Sequence, residues 1–163
     1  MIGGAWFGLI VAGTMKLRVK QLRELERIIH YLEGEIRYKH AVLYEACINS
    51  SYKCGQPFDK WLYELGISLK EQQKDERFDK LWAGSLDELL DATYLKNSDL
   101  EELYNLGQTL GYLDIKAQEH GLALEKENMH IKIKGLSEEL TNKMKISVIM
   151  GILGAIFIVI LLL

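Results

Sequence analysis

The chain has 163 residues, of which 48% are hydrophobic and 26% charged, and its formal net charge at pH 7 is −3. This composition gives no electrostatic case for a nucleic-acid partner, since nucleic-acid binding requires a basic stripe on one face of the fold. The two cysteines, Cys47 and Cys54, fit neither a zinc site nor a CxxC redox pair, so we expect free thiols that pack as small apolar residues.

The first apolar segment, residues 2–15, is about 21 Å long as a helix, which is short for a membrane span. Three interpretations stay open: a signal-peptide core, a re-entrant or interfacial segment, and a true span whose upstream residues are missing because translation begins at an earlier codon. We favour the third, because a signal peptide begins with positive charge and here the positive residues follow the apolar run. The N-terminal membrane segment is therefore placed at residues 1–15.

After this segment, apolar residues recur at three- and four-residue steps, which predicts one long helix over residues 17–48. The repeat has the heptad-like form of a packing seam, and His40 fills its one gap. The seam consists of Leu22, Leu25, Ile29, Leu32, Ile36, Leu43 and Cys47.

Residues 50–56 are the strongest helix breaker in the chain, and Pro57 is expected in the first turn of the next helix. Asn97 or Ser98, followed by acidic residues, marks another helix start, because capping side chains and early carboxylates satisfy exposed amides. The shorter helices are predicted at residues 58–72, 76–92 and 99–111.

A last long helix is predicted from Asp114 through the chain to an uncharged stretch, residues 146–163. This stretch is about 27 Å long as a helix and has no polar face, so we expect a C-terminal transmembrane helix. Positive residues on the inner flank of both apolar segments predict that the intervening domain, residues 16–145, lies in the cytoplasm. These residues are Lys16, Arg18, Lys20, Arg23, Lys132, Lys134, Lys143 and Lys145.

The predicted fold class is all-α, because no stretch alternates β-branched and polar residues as a strand does. We expect a cytoplasmic bundle of five to six helices anchored by N- and C-terminal membrane segments. Its two long helices form an antiparallel hairpin, and the shorter helices close the bundle at the cytoplasmic end.

No catalytic, cofactor-binding or metal-binding residues are predicted. The four histidines lie ten residues apart in pairs, so histidines of one helix cannot share a metal, and pairing across the hairpin is disfavoured. The pattern contains neither a Ser/His/Asp arrangement nor a glycine-rich phosphate loop. The histidines are His30, His40, His120 and His130.

Two short motifs stand out. In the first, Glu33 can pair with Arg37 at the favourable i, i+4 spacing, and Glu35 lies on another side of the helix. In the second, Gly107 and Gly111 lie four residues apart, and each glycine costs about 1 kcal/mol in a helix, so close helix packing is the favoured interpretation. The motif residues are Leu32, Glu33, Glu35, Ile36 and Tyr38, and then Leu106, Gly107, Leu110, Gly111, Asp114 and Gln118.

The order and spacing of these motifs, with the leucine-rich terminal span, resemble the stage III sporulation protein AB family of endospore-forming bacteria. The resemblance covers nearly the whole chain. It implies a subunit of the secretion-like channel complex between mother cell and forespore, in the mother-cell membrane, with a cytoplasmic domain similar to platform proteins of type II secretion and type IV pilus machines. The implied partners are the family's secretion-type ATPase, stage III sporulation protein AA, and other membrane subunits, and self-association stays open.

Two departures from the family pattern affect this interpretation. The family usually has a proline near the position of Val42, so the break between the first helix and the next is expected to be smoother or absent here. The N-terminal segment is also shorter than in the family.

The sequence therefore predicts a non-enzymatic membrane adaptor that docks an ATPase. The alternatives are a two-span pore-forming or holin-like protein and a membrane-anchored enzyme, which would need a pocket with convergent titratable groups. We expect the ATPase contact at the loop ends of the bundle, far from the membrane. The candidate contact residues are Glu33, Glu35, Arg37, Asp99, Glu101 and Glu102.

Overall fold

The computed structural model describes residues 3–71, 77–111 and 114–162, and within these ranges the regular structure is entirely helical. The predicted all-α fold is therefore confirmed. The helices are α1 (Gly3–Lys39), α2 (Leu43–Ser51), α3 (Phe58–Glu71), α4 (Phe78–Asp91), α5 (Asn97–Leu110) and α6 (Ile115–Leu162).

The two long helices, α1 and α6, form the predicted antiparallel hairpin. Lys126 on α6 binds Glu33 on α1 with an Nζ to Oε2 distance of 2.5 Å. Further along α6, Nδ1 of His130 lies 2.9 Å from the carboxylate of Glu26. Since the partner on α1 moves back toward the N-terminus as α6 advances, the helices run in opposite directions.

The core is one cluster of buried apolar side chains that all six helices enclose. The seam predicted on the first helix supplies its α1 side, where Leu22 and Ile36 are completely buried. The α6 side comes from residues seven and four apart, which is the spacing of one helix face. These α6 residues are Leu122, Met129 and Ile133.

The predicted single helix over residues 17–48 is wrong, because the chain breaks after Lys39. His40 has a φ of 53°, which turns the backbone out of the helix. Val42 has φ −69° and ψ 154°, and this φ is the one that proline adopts. Valine therefore takes the backbone conformation that a proline would take at this position. The expected smoother connection between the helices is also wrong. The apolar repeat concealed the turn because Ala46 and Cys47 on α2 pack into the same core as α1.

The shorter helices begin close to their predicted starts. Pro57 precedes α3 instead of lying in its first turn, and its carbonyl oxygen accepts a hydrogen bond from Trp61 N at 3.2 Å. At the start of α5, Lys96 N donates to the carboxylate of Asp99 at 2.9 Å, so Asp99 supplies the cap that was predicted from Asn97 or Ser98.

Among the described residues, one helix is long and apolar enough to cross a membrane, and this is α6. Its most apolar 18-residue window is 0% buried within the protein, which argues against a core helix. The same helix that packs on α1 thus continues without interruption into a possible membrane anchor. The domain boundaries at residues 16 and 145 stay predictions.

Candidate functional site

The first motif places a buried carboxylate at the corner between α1 and α2. The Glu35 residue is 2% exposed. Its carboxylate accepts hydrogen bonds from Nζ of Lys39 and Nζ of Lys53, each at 2.8 Å, and from Nδ2 of Asn49 at 3.2 Å. Burial opposes the ionisation of Glu35, but these hydrogen bonds outweigh it and lower the pKa to about 2. Glu35 therefore holds the corner together, and its role as a partner contact stays a prediction.

Glu33 is also engaged within the chain. It is 7% exposed and pairs with Lys126 on α6 and with Arg37 one turn along α1, at an N to O distance of 3.8 Å for Arg37. The predicted Glu33 to Arg37 pair is confirmed. Through its pair with Lys126, Glu33 contributes to the α1–α6 contact, and its role as a docking residue stays a prediction.

The remaining part of the first motif is exposed at the end of α1. Tyr38 is 75% exposed, and Val42, just beyond the helix, is 54% exposed. The guanidinium carbon of Arg37 lies 5.5 Å from the centre of the Tyr38 ring, within the range of a cation–π contact. We call Arg37, Tyr38 and Val42 the distal surface, because the end of α1 lies about 36 Å along the helix from Met15.

The second motif forms the contact between α4 and α5. A Cβ atom at Gly107 would overlap with the indole of Trp82, and one at Gly111 would lie 3.0 Å from Cδ1 of Phe78. Nε1 of Trp82 donates to the carbonyl oxygen of Leu103 at 2.7 Å in the buried contact. The predicted role of both glycines in close helix packing is confirmed.

We expect Gly107→Ala to lower the free energy of unfolding by about 1–2 kcal/mol. Overpacking costs about 1–3 kcal/mol, and the better helix propensity of alanine offsets about 1 kcal/mol of it. The control is Gly84→Ala on α4, where a Cβ meets nothing within 4 Å, so this change should stabilise by about 0.5–1 kcal/mol. Urea unfolding followed by circular dichroism measures the free energy of unfolding of both variants. Equal changes in the same direction in the two variants would contradict the packing role of Gly107.

The rest of the second motif closes the corner between α5 and α6. Leu106 and Leu110 are buried in the core. The side-chain amide of Gln118 donates a hydrogen bond to the carbonyl oxygen of Leu110 at 2.9 Å. This bond satisfies one of the carbonyl groups that the last turn of α5 leaves without a partner inside the helix. The carboxylate of Asp114 accepts from Lys116 N at 3.0 Å at the start of α6. Every residue of this motif thus has a structural role.

The predicted acidic contact cluster includes a residue that lies beside the first part of α1. Asp99 is 1% exposed, and its two carboxylate oxygens bind Nε and Nη2 of Arg18 at 2.7 and 2.6 Å. Because Arg18 follows the N-terminal apolar segment by three residues, Asp99 lies toward the predicted membrane, and its role as a partner contact stays a prediction. Glu102 is bound by Lys132 at 2.5 Å, and only Glu101 of the three is exposed without an ion pair among the described residues.

Sequence reasoning missed one buried acid, Glu125. It is 3% exposed, and its Oε1 has no hydrogen-bond partner within the described part of the chain. Burial raises the pKa of Glu125 to about 7, and the nearby charge of Glu102 adds to this effect. The signal was in the sequence, since Glu125 continues the apolar repeat of α6 between Leu122 and Met129.

The cysteines and histidines form no site in the described ranges, where no group of three or more His, Cys, Asp or Glu side chains could hold a metal ion. Both thiols are free, and Cys47 is completely buried. Burial raises the pKa of Cys47 to about 12 and that of Cys54 to about 11, so neither is a reactive thiolate at neutral pH.

The comparisons with known proteins agree with the motifs. The family profile described as Stage III sporulation protein AB matches residues 1–163. The chain is 25% identical over 162 residues to the Stage III sporulation protein AB of Bacillus subtilis (strain 168). The matched region covers 99% of this chain and 94% of that protein. A solved structure of Stage III sporulation protein AB is similar with a TM-score of 0.67 and 25% identity, over 77% of this chain and 97% of the solved one.

Proposed function

The chain belongs to the stage III sporulation protein AB family, and on this premise we propose that it is a membrane-anchored adaptor without enzymatic activity of its own. In this proposal it is a subunit of the channel complex between mother cell and forespore. Its helical domain lies in the mother-cell cytoplasm and docks a secretion-type ATPase, while its apolar ends contact other membrane subunits.

The observation that carries the proposal is the continuity of α6. This helix has 48 residues, so it is about 72 Å long, and it joins the bundle to the possible membrane anchor with no linker between them. The α1–α6 contacts brace the same helix from the side. Such a connection is suited to transmitting force or holding a partner at a fixed distance from a membrane, which is what an adaptor for a motor requires.

The distal surface is the proposed ATPase contact. It presents Arg37 and Tyr38, and these two residue types are enriched among the residues that contribute most to protein interfaces. Glu33 and Glu35, which lie beside it, stabilise the helices that present it. The surface is thus a small set of exposed side chains on a rigid helix end.

The test is co-purification of the full-length protein with the ATPase from membranes in which both are produced. We expect Arg37→Glu/Tyr38→Ala to weaken the complex by at least about tenfold, because interface residues of this kind contribute about 2 kcal/mol or more. The matched control is Lys60→Glu/Tyr52→Ala, which removes an exposed lysine and an exposed tyrosine elsewhere on the bundle. This control should bind like the wild type.

Three results would contradict the proposal in different ways. Normal binding by the distal variant would remove the distal surface as the contact, and loss of binding with Glu101→Lys alone would move the contact to the exposed face of α5. Failure of the folded, membrane-inserted wild type to bind the ATPase in any nucleotide state would contradict the adaptor function itself.

A further inference from the structure

A groove opens between α1 and α6 on the side of the hairpin that faces the apolar ends. Its volume is about 1010 Å³, and its walls are residues 13–27 of α1 and residues 137–141 of α6. It is contiguous with a second groove that shares Arg23, Glu26, Ser137 and Thr141 and that extends to Lys145. The position of the groove is fixed by the packing of two helices, so its lining residues are held in place.

The groove is rich in cations that the fold leaves without acidic partners. Lys16, Lys20 and Arg23 make no ion pair with any carboxylate of the described residues, and Arg23 donates one weak hydrogen bond to Oγ of Ser137 at 3.4 Å. One acid, Glu26, lines the groove, and its carboxylate already lies 2.9 Å from Nδ1 of His130. The charge of the groove is therefore positive and uncompensated.

The groove also has an apolar side that continues toward the possible membrane anchor. Leu17 is 43% exposed, and Leu140 lines the opposite wall. Leu140 lies about 9 Å along α6 before Ile146, the first residue of the uncharged stretch. The polar layer of a bilayer is about 5–8 Å thick on each side of the hydrocarbon. If α6 spans the membrane, Thr141, about 7.5 Å before Ile146, lies in the headgroup layer and the rest of the groove lies just beyond it, within reach of the long Lys20 and Arg23 side chains.

We infer that this groove binds the headgroup of an anionic phospholipid. The phosphate lies among Lys20, Arg23 and the hydroxyl groups of Ser137 and Thr141, and the acyl chains follow the apolar surface of α6. Charge complementarity selects an anionic over a zwitterionic headgroup, and the exposed Leu17 with the partly buried Leu140 favours a lipid over a soluble phosphate. The inference depends on insertion of α6 and is independent of ATPase docking.

The test uses the full-length protein in dodecyl maltoside micelles supplemented with either phosphatidylglycerol or phosphatidylcholine, and native mass spectrometry counts the retained lipid. We expect the wild type to retain phosphatidylglycerol preferentially, and Lys20→Gln/Arg23→Gln to lower this retention by about 30-fold, since each cation near an anionic surface contributes about 1 kcal/mol. Lys20→Gln alone should lower it about fivefold.

The matched control is Lys96→Gln/Lys143→Gln, which removes two cations beside Arg18 in a separate pocket toward the membrane. It should lower retention less than threefold. Equal losses in the two double variants would overturn the inference in favour of general attraction to the surface. Equal retention of both lipids by the wild type, or displacement of the lipid by soluble glycerol phosphate at the same concentration, would also overturn it.

Discussion

Arg18→Met is expected to lower the free energy of unfolding by about 3 kcal/mol or more. The substitution leaves the Asp99 carboxylate, which is 1% exposed, without the guanidinium that binds both of its oxygens. Removing one partner of a buried ion pair costs about 3–5 kcal/mol, because the remaining charge stays buried. The hydrogen bond from Lys96 N to Asp99 remains and places the loss at the lower end of this range. Urea unfolding of the full-length protein in detergent, followed by circular dichroism, measures the loss.

Two further variants separate this ion pair from a general effect of charge on α1. Arg23→Met removes a neighbouring arginine whose single hydrogen bond is exposed, so it should change stability by less than about 0.5 kcal/mol. Arg18→Met/Asp99→Asn should recover much of the stability lost in Arg18→Met, because position 99 then carries no buried charge. A loss below about 1 kcal/mol in Arg18→Met would show that Asp99 is compensated by another group.

The helices and the packing motif could be predicted from the sequence because both depend on local spacing. The seam on the first helix and the glycines at 107 and 111 each repeat at helical steps, and the structure places both in buried helix contacts. The break at His40 could not be predicted in the same way. Beyond the turn, α2 packs against the same core as α1, so Leu43 and Cys47 continue the apolar repeat although the backbone has changed direction.

The acidic residues were the least predictable part of the candidate site. Asp99 is separated from Arg18 by 81 residues, and no sequence spacing shows that the start of α5 lies beside the first turns after the N-terminal segment. Glu33 is different, because it lies four residues after Ile29 and three before Ile36, at the edge of the buried seam. That position by itself is typical of a partly buried carboxylate with partners inside the bundle. The exposed distal surface, and not these buried acids, is therefore the contact that we propose.

Glu125 gives the stability of the bundle an unusual dependence on pH. Its pKa rises from an ordinary value of 4.5 to about 7 in the folded protein, so the folded state favours the protonated acid. The charged groups that face it are Glu102 on α5, which raises the pKa, and Lys132 on α6, which lowers it, while Asn128 donates a hydrogen bond. The stability that protonation contributes is fully present below pH 4.5 and is lost as the pH rises through about 7.

We therefore expect Glu125→Gln to be more stable than the wild type at pH 8 by about 2 kcal/mol and nearly equal to it at pH 4.5. The shift in pKa corresponds to about 3 kcal/mol, and the buried amide of glutamine reduces the gain. Urea unfolding at half-unit steps between pH 4.5 and 8 measures the free energy of unfolding of both proteins. The control is Glu127→Gln, on the exposed side of the same helix, which should keep the wild-type pH dependence. If the free energy of unfolding of the wild type does not fall relative to that of Glu125→Gln across this range, Glu125 ionises without loss of stability. That result would mean that α5 and α6 separate enough at this point to admit water.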